Sequence, residues 1–463
     1  MSNSPEAMNS PSLPHGKWQM WTGAQIKLIL LLMLVNMSNY LDRGIISILQ
    51  EPMKNDLHLQ DWQLGMISGP AFALLYSVAG IPIARIADRA NRITILTVAL
   101  TIWSGLTAVC GTATSFLHLV LARVGVGAAE GACTPTSHSL IADAFPPRQR
   151  GMALSVLTTS IPVAQLFAPL IGGVVAMTLG WRMAFVLVGL PGLILAAVLF
   201  LTVKEPRLSA PAAPERVSTF WGDIRILFAK RSFVWLFIAS VFMGMSITTT
   251  NAFTASYFLR QYDLSIAEVG ALMAAGLGVA GLTGTFLGGW IADRFAGVYG
   301  RSYAWTCALG ATLASVFFLI VYNLDNWLIA IPFLMLANIS TDLKNGPNTA
   351  IAQNIAPPGM RTITSAVMMM GAIGVGTTIG PLLIGAVSDF SAARLFPDAI
   401  GSFASMCPGG KAATSARGAL TAACEDASAG GLRAALMIPC VTYLLSAAAF
   451  YVCGRVIDEP LEK

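Results

Sequence analysis

Charge is what this chain lacks most. Asp, Glu, Lys and Arg make up 11% of its 463 residues while hydrophobic residues make up 55%, against roughly 25% charged in soluble globular domains. That balance excludes an ordinary soluble protein. The signatures of common hydrolytic and redox sites are missing too: there is no His-Glu-x-x-His, no Gly-x-Ser-x-Gly and no Cys-x-x-Cys. "CPGGKAATS" (407–415) faintly resembles a phosphate loop but lacks its first glycine and the hydroxyl after the lysine. His15, His58, His118 and His138 are scattered, which argues against a metal site. No enzyme is expected, and no cofactor other than a proton gradient. Also absent is a compact apolar core followed by a small-residue cleavage site in "MSNSPEAMNSPSLPHGKWQM".

Long apolar runs are abundant. Stretches fit to span a bilayer as helices fall at 25–49, 62–84, 93–113, 117–143, 152–177, 183–203, 233–258, 266–292, 302–323, 327–353, 363–389 and 432–454. The expected fold is therefore an all-α polytopic membrane protein of twelve spans. Basic residues concentrate in alternate connections, among them Lys17, Lys27, Arg85, Arg89, Arg92, Arg148, Arg150, Lys204 and Arg225. Lys54, Arg182 and Arg260 are among the few on the other side. The bias places both termini in the cytoplasm of a multi-pass inner-membrane protein, and it accounts for the net positive charge without nucleic acid. Cys110, Cys133, Cys307, Cys440 and Cys453 fall in apolar helices, where a thiol is a small packing group. Cys407 and Cys424 share a long outer loop and are a candidate disulfide.

The chain divides into a disordered tail (1–24), a six-helix bundle (25–203), a linker (204–232), a second bundle (233–455) with an extracytoplasmic loop (391–430), and a short tail (456–463). The linker holds "EPRLSAPAAPERVS", a flexible composition, and then "TFWGDIRILFAKR". That second stretch reads either as a helix lying on the inner leaflet or as an early start to helix seven. Punctuation repeats between the halves. "ARIADR" ending at Arg89 matches "GWIADR" ending at Arg294, "PPRQRG" from Pro146 matches "PPGMRT" from Pro357, and "APLIGG" with Pro169 matches "GPLLIG" with Pro381. All three pairs lie about 205 to 212 residues apart.

These residues give the chain a resemblance to the major facilitator superfamily from about 25 to 455. The loop after helix two resembles that superfamily's Gly-x-x-x-Asp-Arg-x-Gly-Arg signature through Asp88, Arg89 and Arg92, with Ala84 and Asn91 where glycines are usual; Gly289, Asp293 and Arg294 match better. The resemblance implies two pseudo-symmetric six-helix bundles. Asp88, Arg89, Asp293 and Arg294 are expected at a cytoplasmic gate, where a carboxylate can latch onto a cation or a helix N-terminus across the cleft.

Six charges remain inside spans: Asp42 and Arg43 on helix one, Arg123 and Glu130 on helix four, Asp342 and Lys344 on helix ten. Facing lipid, each would cost at least ~2.5 kcal/mol, so each should face a wet cavity or an opposite charge. Arg123 and Glu130 are seven residues apart, on one side of their helix at levels roughly 10 Å apart, and the small residues of "VGVGAA" between them permit a close neighbour. No matching arginine occurs at the repeat-related positions of the second half, which points to substrate or ion chemistry. A structural salt bridge between helices one and four is the plain alternative.

"NYLDRG" on helix one and "ARVGVGAAEGACTPTSHSLIADAFPPRQRG" from helix four onward resemble the Spinster family of lipid transporters. That resemblance implies a proton-driven bacterial carrier of lysophospholipid-like amphiphiles. Asp42 and Glu130 are the expected proton-coupling carboxylates. Arg43, Arg123, Asn251, Asp342 and Asn345 are the expected substrate contacts, since a guanidinium suits a phosphate. Met243, Met245, Met368, Met369 and Met370 offer an adaptable apolar lining, or plain packing. Expected partners are the bilayer and an amphiphilic substrate, with the protein acting as a monomer. A carrier of small organic anions is the alternative within transport; a non-concentrating scramblase or a membrane receptor is the alternative outside it.

Overall fold

The computed structural model describes residues 21–87, 90–205, 220–295, 301–357, 360–397, 399, 401–412 and 418–457. Eleven helical stretches are long and apolar enough to cross a membrane. Helix one is Gly23–Leu57, helix three Arg92–Cys110, helix four Phe116–Ala144, helix five Gln149–Leu179, helix six Trp181–Thr202, helix seven Arg231–Gln261 and helix eight Ile266–Arg294. Helix nine is Arg301–Val321, helix ten Trp327–Ile355, helix eleven Ile363–Leu395 and helix twelve Ala419–Val456. Helix two completes the set in two pieces, Asp61–Ser68 and Pro70–Ala87, broken at Gly69. Proline has no N–H to continue the ladder, so the break falls where Gly69 precedes Pro70. The fold is the expected twelve-span helical architecture.

Other spans are interrupted as well. Helix four turns at Gly131–Ala132 and helix ten at Leu343–Lys344. Helices eight and eleven each contain a π-helical segment, Ala275–Val279 and Met370–Thr377.

Two seams join the halves at the end that the charge bias assigns to the outside, and they are related by the internal repeat. The Pro381 carbonyl of helix eleven packs directly on Gly65 of helix two, while the Pro169 carbonyl of helix five packs directly on Gly270 of helix eight. A side chain at either glycine would collide with backbone. The matched "APLIGG" and "GPLLIG" segments thus do the same work in each half: the proline's carbonyl lies against a facing glycine, which lets the helices close.

The structure changes two boundaries. The segment expected as an outer loop (391–430) is largely helical, because helix eleven runs to Leu395 and a helix starts at Ala419, bending at Leu436 into Met437–Val456. Ala-rich "ALTAACEDASAGG" has the local propensity for this, although its hydropathy is too low to read as a span. Within the remaining connection Cys407 and Cys424 are joined in a disulfide, with Cα atoms 5.6 Å apart. In the linker, Phe220–Ala229 is a separate helix and not an early start of helix seven, since Lys230 is extended (φ −84°, ψ 119°) between them. It is tied down by Phe228, edge-on to Phe233 and Phe237 with both centroid distances 5.2 Å, while Trp221 is exposed.

Gly65→Val and Gly270→Val should each wedge a seam apart. The expected outcome is a longer spin-label distance between the outer ends of helices two and eleven, or five and eight, with the inner ends still packed; unchanged outer distances would show that the seams tolerate a side chain.

Candidate substrate and proton site

Helix one presents a polar stripe, Asn36, Asn39, Asp42 and Arg43, to its own half of the molecule. Asn36 donates to Ser160 Oγ (2.7 Å), where helix five is interrupted. Asp42 is 2% exposed, and its two oxygens have separate partners: Thr107 Oγ1 of helix three donates to one (2.6 Å) and Arg123 Nη1 to the other (2.8 Å). Arg43, next in sequence, turns about 100° around the helix and donates through Nε to Glu130 Oε2 (2.9 Å). Two adjacent residues of helix one therefore serve two residues of helix four that lie two turns apart.

Helix two supplies the walls. Phe72 lies between the cations, its ring centroid 4.8 Å from the Arg43 guanidinium carbon and 4.9 Å from that of Arg123. Tyr76 and Tyr40 complete an aromatic box around Arg43 at 4.4 and 5.1 Å. This approach needs Gly127 of "VGVGAA", because the Phe72 carbonyl occupies the space a side chain there would fill. Such rings stabilise a desolvated cation without neutralising it.

Accessibility separates the four charges. The side chains of Asp42, Arg123 and Glu130 are 3%, 3% and 0% exposed, whereas Arg43 keeps 19%. Of the two environments expected for such charges, three of these groups take the opposite charge, and Arg43 is the member of the cluster that keeps a connection to accessible space among the described residues. Among the described residues, Glu130 Oε1, Arg123 Nε and Asn39 Nδ2 are buried without a hydrogen-bond partner. Each is spare valence. A carboxylate oxygen so placed can take a proton, and an unused guanidinium N–H can donate to an incoming anion.

The second-half candidates form a different group. Helix ten turns directly after Asp342, and Asn345 Nδ2 donates to Asp342 Oδ1 (2.9 Å) and to Thr285 Oγ1 of helix eight (3.0 Å). Lys344, placed by sequence on the far side of its helix, is brought round by this turn to donate to Asn345 Oδ1 (2.8 Å). Asp342 looks toward Gly281 of helix eight and Gln165 of helix five. The structure does not bring Asp342 or Asn345 into the Asp42 cluster, and Asn251, half-buried on helix seven, makes no side-chain hydrogen bond among the described residues.

At the proposed cytoplasmic gate, Asp88 and Arg89 lie outside the described residues. Asp293 is exposed and accepts a hydrogen bond from Tyr303 of its own half (2.7 Å), and Arg294 is exposed. The buried member of the signature is Arg92. It pairs with Asp143 (2.7 Å) and donates through Nε to Glu205 (3.0 Å) and through Nη1 to Ser139 Oγ (2.7 Å), tying helices three, four and six together.

A charged latch at the outer end was not foreseen. Asp61, at the start of helix two, accepts from Lys54 Nζ (2.7 Å), from Arg260 Nη1 and Nη2 (2.7 Å each) and from Ser388 Oγ (2.6 Å). Arg260 also donates to Glu51 (2.6 Å). Asp389 of helix eleven accepts from the backbone N–H groups of Asp61 and Trp62 (3.0 and 2.8 Å), where the positive end of the helix-two dipole favours an anion. Helices one, two, seven and eleven, two from each half, meet in this one network. Lys54, Asp61 and Arg260 lie at span ends, where charges look like topology signals; their burial is the only clue, and sequence does not carry it.

Arg123→Gln should destabilise the protein by about 3–5 kcal/mol, the usual cost of stranding a buried charge. Arg43→Gln should cost less, because Arg43 is partly solvated. Asp42→Asn combined with Arg123→Gln should recover stability over Arg123→Gln alone. Thermal unfolding in detergent checks the ranking, and the reverse order for the two arginines would contradict the burial assigned to them.

Comparison with known proteins agrees with the architecture. The family model described as Major Facilitator Superfamily matches residues 32–381. An "MFS-type efflux pump" of Mycolicibacterium smegmatis is 32% identical over 390 residues, covering 84% of this chain and 89% of the relative. A "Hexuronate transporter" of Bacillus subtilis is 28% identical over 279 residues, 59% of this chain and 66% of the relative. Among solved structures, a bacterial homolog of the human lysosomal transporter Spinster, in an inward-facing and unoccupied conformation, superposes with a TM-score of 0.84 at 27% identity, covering 95% of this chain and 98% of that one. The chain belongs to the Major Facilitator Superfamily of transporters, and among solved structures it is similar to a bacterial Spinster homolog.

Proposed function

We propose that this protein is a proton-coupled secondary transporter of lysophospholipid-like amphiphiles, working by alternating access as a monomer in the inner membrane with both termini cytoplasmic. One observation carries the reading: of the four charges that pair between helices one and four, only Arg43 reaches accessible space among the described residues, and its partner Glu130 is fully buried with one oxygen lacking a hydrogen-bond partner. While Glu130 is ionised it holds Arg43. Protonation of Glu130 releases the guanidinium, which is then available to a phosphate as a charge-assisted, two-pronged donor. Asp42 and Arg123 form a second such pair, both side chains almost fully buried. Proton and anion accordingly favour the same state.

Alternating access requires the outer latch centred on Asp61 to come apart in the opposite state. In it Lys54 and Arg260 pair with Asp61 and Glu51, and Asp389 accepts from the backbone N–H groups of Asp61 and Trp62. The likeness to a Spinster homolog supports the lipid cargo. A second reading, a small organic anion gripped by the same arginines, is favoured by the similarity to a hexuronate transporter.

Uptake into proteoliposomes, measured with a lysophospholipid panel under two imposed pH gradients, tests both parts. Wild type should accumulate a lysophospholipid uphill, and Glu130→Gln and Asp42→Asn should each lose the response to the gradient. Variants that respond like wild type would remove the coupling assignment. Competition by a hexuronate but by no lysolipid would transfer the substrate to the second reading, and equilibration without accumulation would point to a scramblase.

A further inference from the structure

At the outer end, a short turn of the second half lies on a buried charge of the first. Helix twelve carries Cys424 and, one turn on and on the same face, Ser428. Cys424 is bonded to Cys407, and Cys407–Gly410 forms a closed turn in which the Gly410 N–H donates to the Cys407 carbonyl (2.9 Å). Gly409 and Gly410 have left-handed backbones (φ 68° and 80°), and both press on helix one. A Cβ on Gly409 would stand 3.1 Å from the Lys54 carbonyl oxygen and 3.3 Å from His58 Cα, and one on Gly410 would stand 2.9 Å from both Lys54 Nζ and Ser428 Oγ. Glycine meets the backbone angle and the clearance together.

What the turn touches is the latch. Lys54 is 3% exposed and donates to Asp61 (2.7 Å), while Ser428 accepts from Arg260 (3.3 Å). The same two glycines line a recess of about 520 Å³ together with Asp263, Lys411 and Glu425, all three exposed. The turn thus has exposed charges to one side and a buried ammonium to the other. The cystine itself is buried with Phe396 and Ala427, which makes it a fixed fastening and not an exposed, exchanging one. Opening the outer end separates helix one from helix twelve, since they belong to opposite halves. Without the bridge, the turn would be free to stay on Lys54 as helix twelve left. With it, the turn travels with helix twelve, and its contacts with Lys54 and His58 have to break. A contact made in one state and lost in the other biases the equilibrium between them. We propose that the Cys407–Cys424 bridge is a clasp on the outer gate, tethering the Gly409–Gly410 turn so that its hold on helix one favours the outward-closed state. The inference rests on the alternating access proposed above, and on neither the cargo nor the proton assignment.

Electron–electron distance measurements on the full chain in nanodiscs test the clasp. Thiol-independent spin labels are placed at the exposed Leu179 and Leu328, at the outer ends of helices five and ten, and as a second pair at the exposed Leu201 and Trp290 toward the inner ends of helices six and eight. Cys407→Ala with Cys424→Ala should raise the population with a long outer distance several-fold, and the inner distance should shorten to match. Gly409→Val keeps the bridge but meets rigid backbone at Lys54 and His58, so it should lift the turn and act in the same direction. All three changes together should add little to either alone, because bridge and glycine work through one turn. Unchanged or shorter outer distances in the alanine pair, or effects that sum in the combined variant, would overturn the clasp. Should the alanine pair unfold, seen as broadening of both distances, Gly409→Val decides by the same outer distance. Gly65→Val, which wedges a seam directly, separates the two readings: if it lengthens the outer distance and loss of the bridge does not, the clasp fails while alternating access stands, and if neither moves the ends, both fail.

Discussion

A charge in hydrocarbon must find an opposite charge or leave, and the first half of this transporter is arranged around that requirement. Asp42 cannot be solvated where it lies, so Arg123 and Thr107 complete its shell. Arg43 cannot lie against apolar side chains alone, so Glu130 and three aromatic rings surround it. Gly127 of helix four follows from this, since a bulkier residue there would hold Phe72 too far from both arginines. Because each pair is satisfied only while its carboxylate is ionised, a proton arriving at either acid changes what the partner arginine must do. The proton coupling proposed above draws on the same constraint that shapes the packing.

The outer end uses a different balance. Backbone carbonyls of Pro169 and Pro381 meet glycines at the seams, and the contacts are shallow, apolar and repeated by the internal symmetry. The Asp61 network is the asymmetric element laid over them, drawing its cations from helices one and seven. Dispersion at the seams is additive and gradual, whereas a buried ionic network is lost nearly all at once when a member leaves. A closure built from both is firm when complete and yields cooperatively. The disulfide-bearing connection lies against it, with Gly409 and Gly410 in left-handed conformations over Lys54.

Much of this was legible in the sequence because a membrane makes each internal charge conspicuous. Arg123 and Glu130 announce a shared face by their spacing, and the pairing with Asp42 and Arg43 follows once helices one and four are neighbours. The repeat of "APLIGG" and "GPLLIG" marked related positions, though not that each abuts a glycine on the opposite half. Three features were hidden for physical reasons. Charges at helix ends serve topology and latching alike, so Asp61 and Arg260 looked ordinary. Periodicity does not show that helix ten turns at Leu343–Lys344, ahead of the Gly346–Pro347 breaker, so that Asn345 bridges Asp342 to Thr285. The start of helix twelve was masked by Glu425, Asp426 and its small residues, which lower hydropathy without opposing helix formation.

The π-helical segments of helices eight and eleven bear on how the halves move. Such a turn holds one residue more than an α turn needs, and returning it to α geometry would rotate the remainder of the helix by about 100°, one residue's worth. Helix eight lies against helix five, and helix eleven against helix two, so both segments sit in the partners that close the seams. A register slip confined to Ala275–Val279 or Met370–Thr377 would swivel the inner portion of a span while the outer portion stayed docked. The two bundles then need not tilt as rigid blocks: the second carries its own pivots, and the first, among the described residues, has none of this kind.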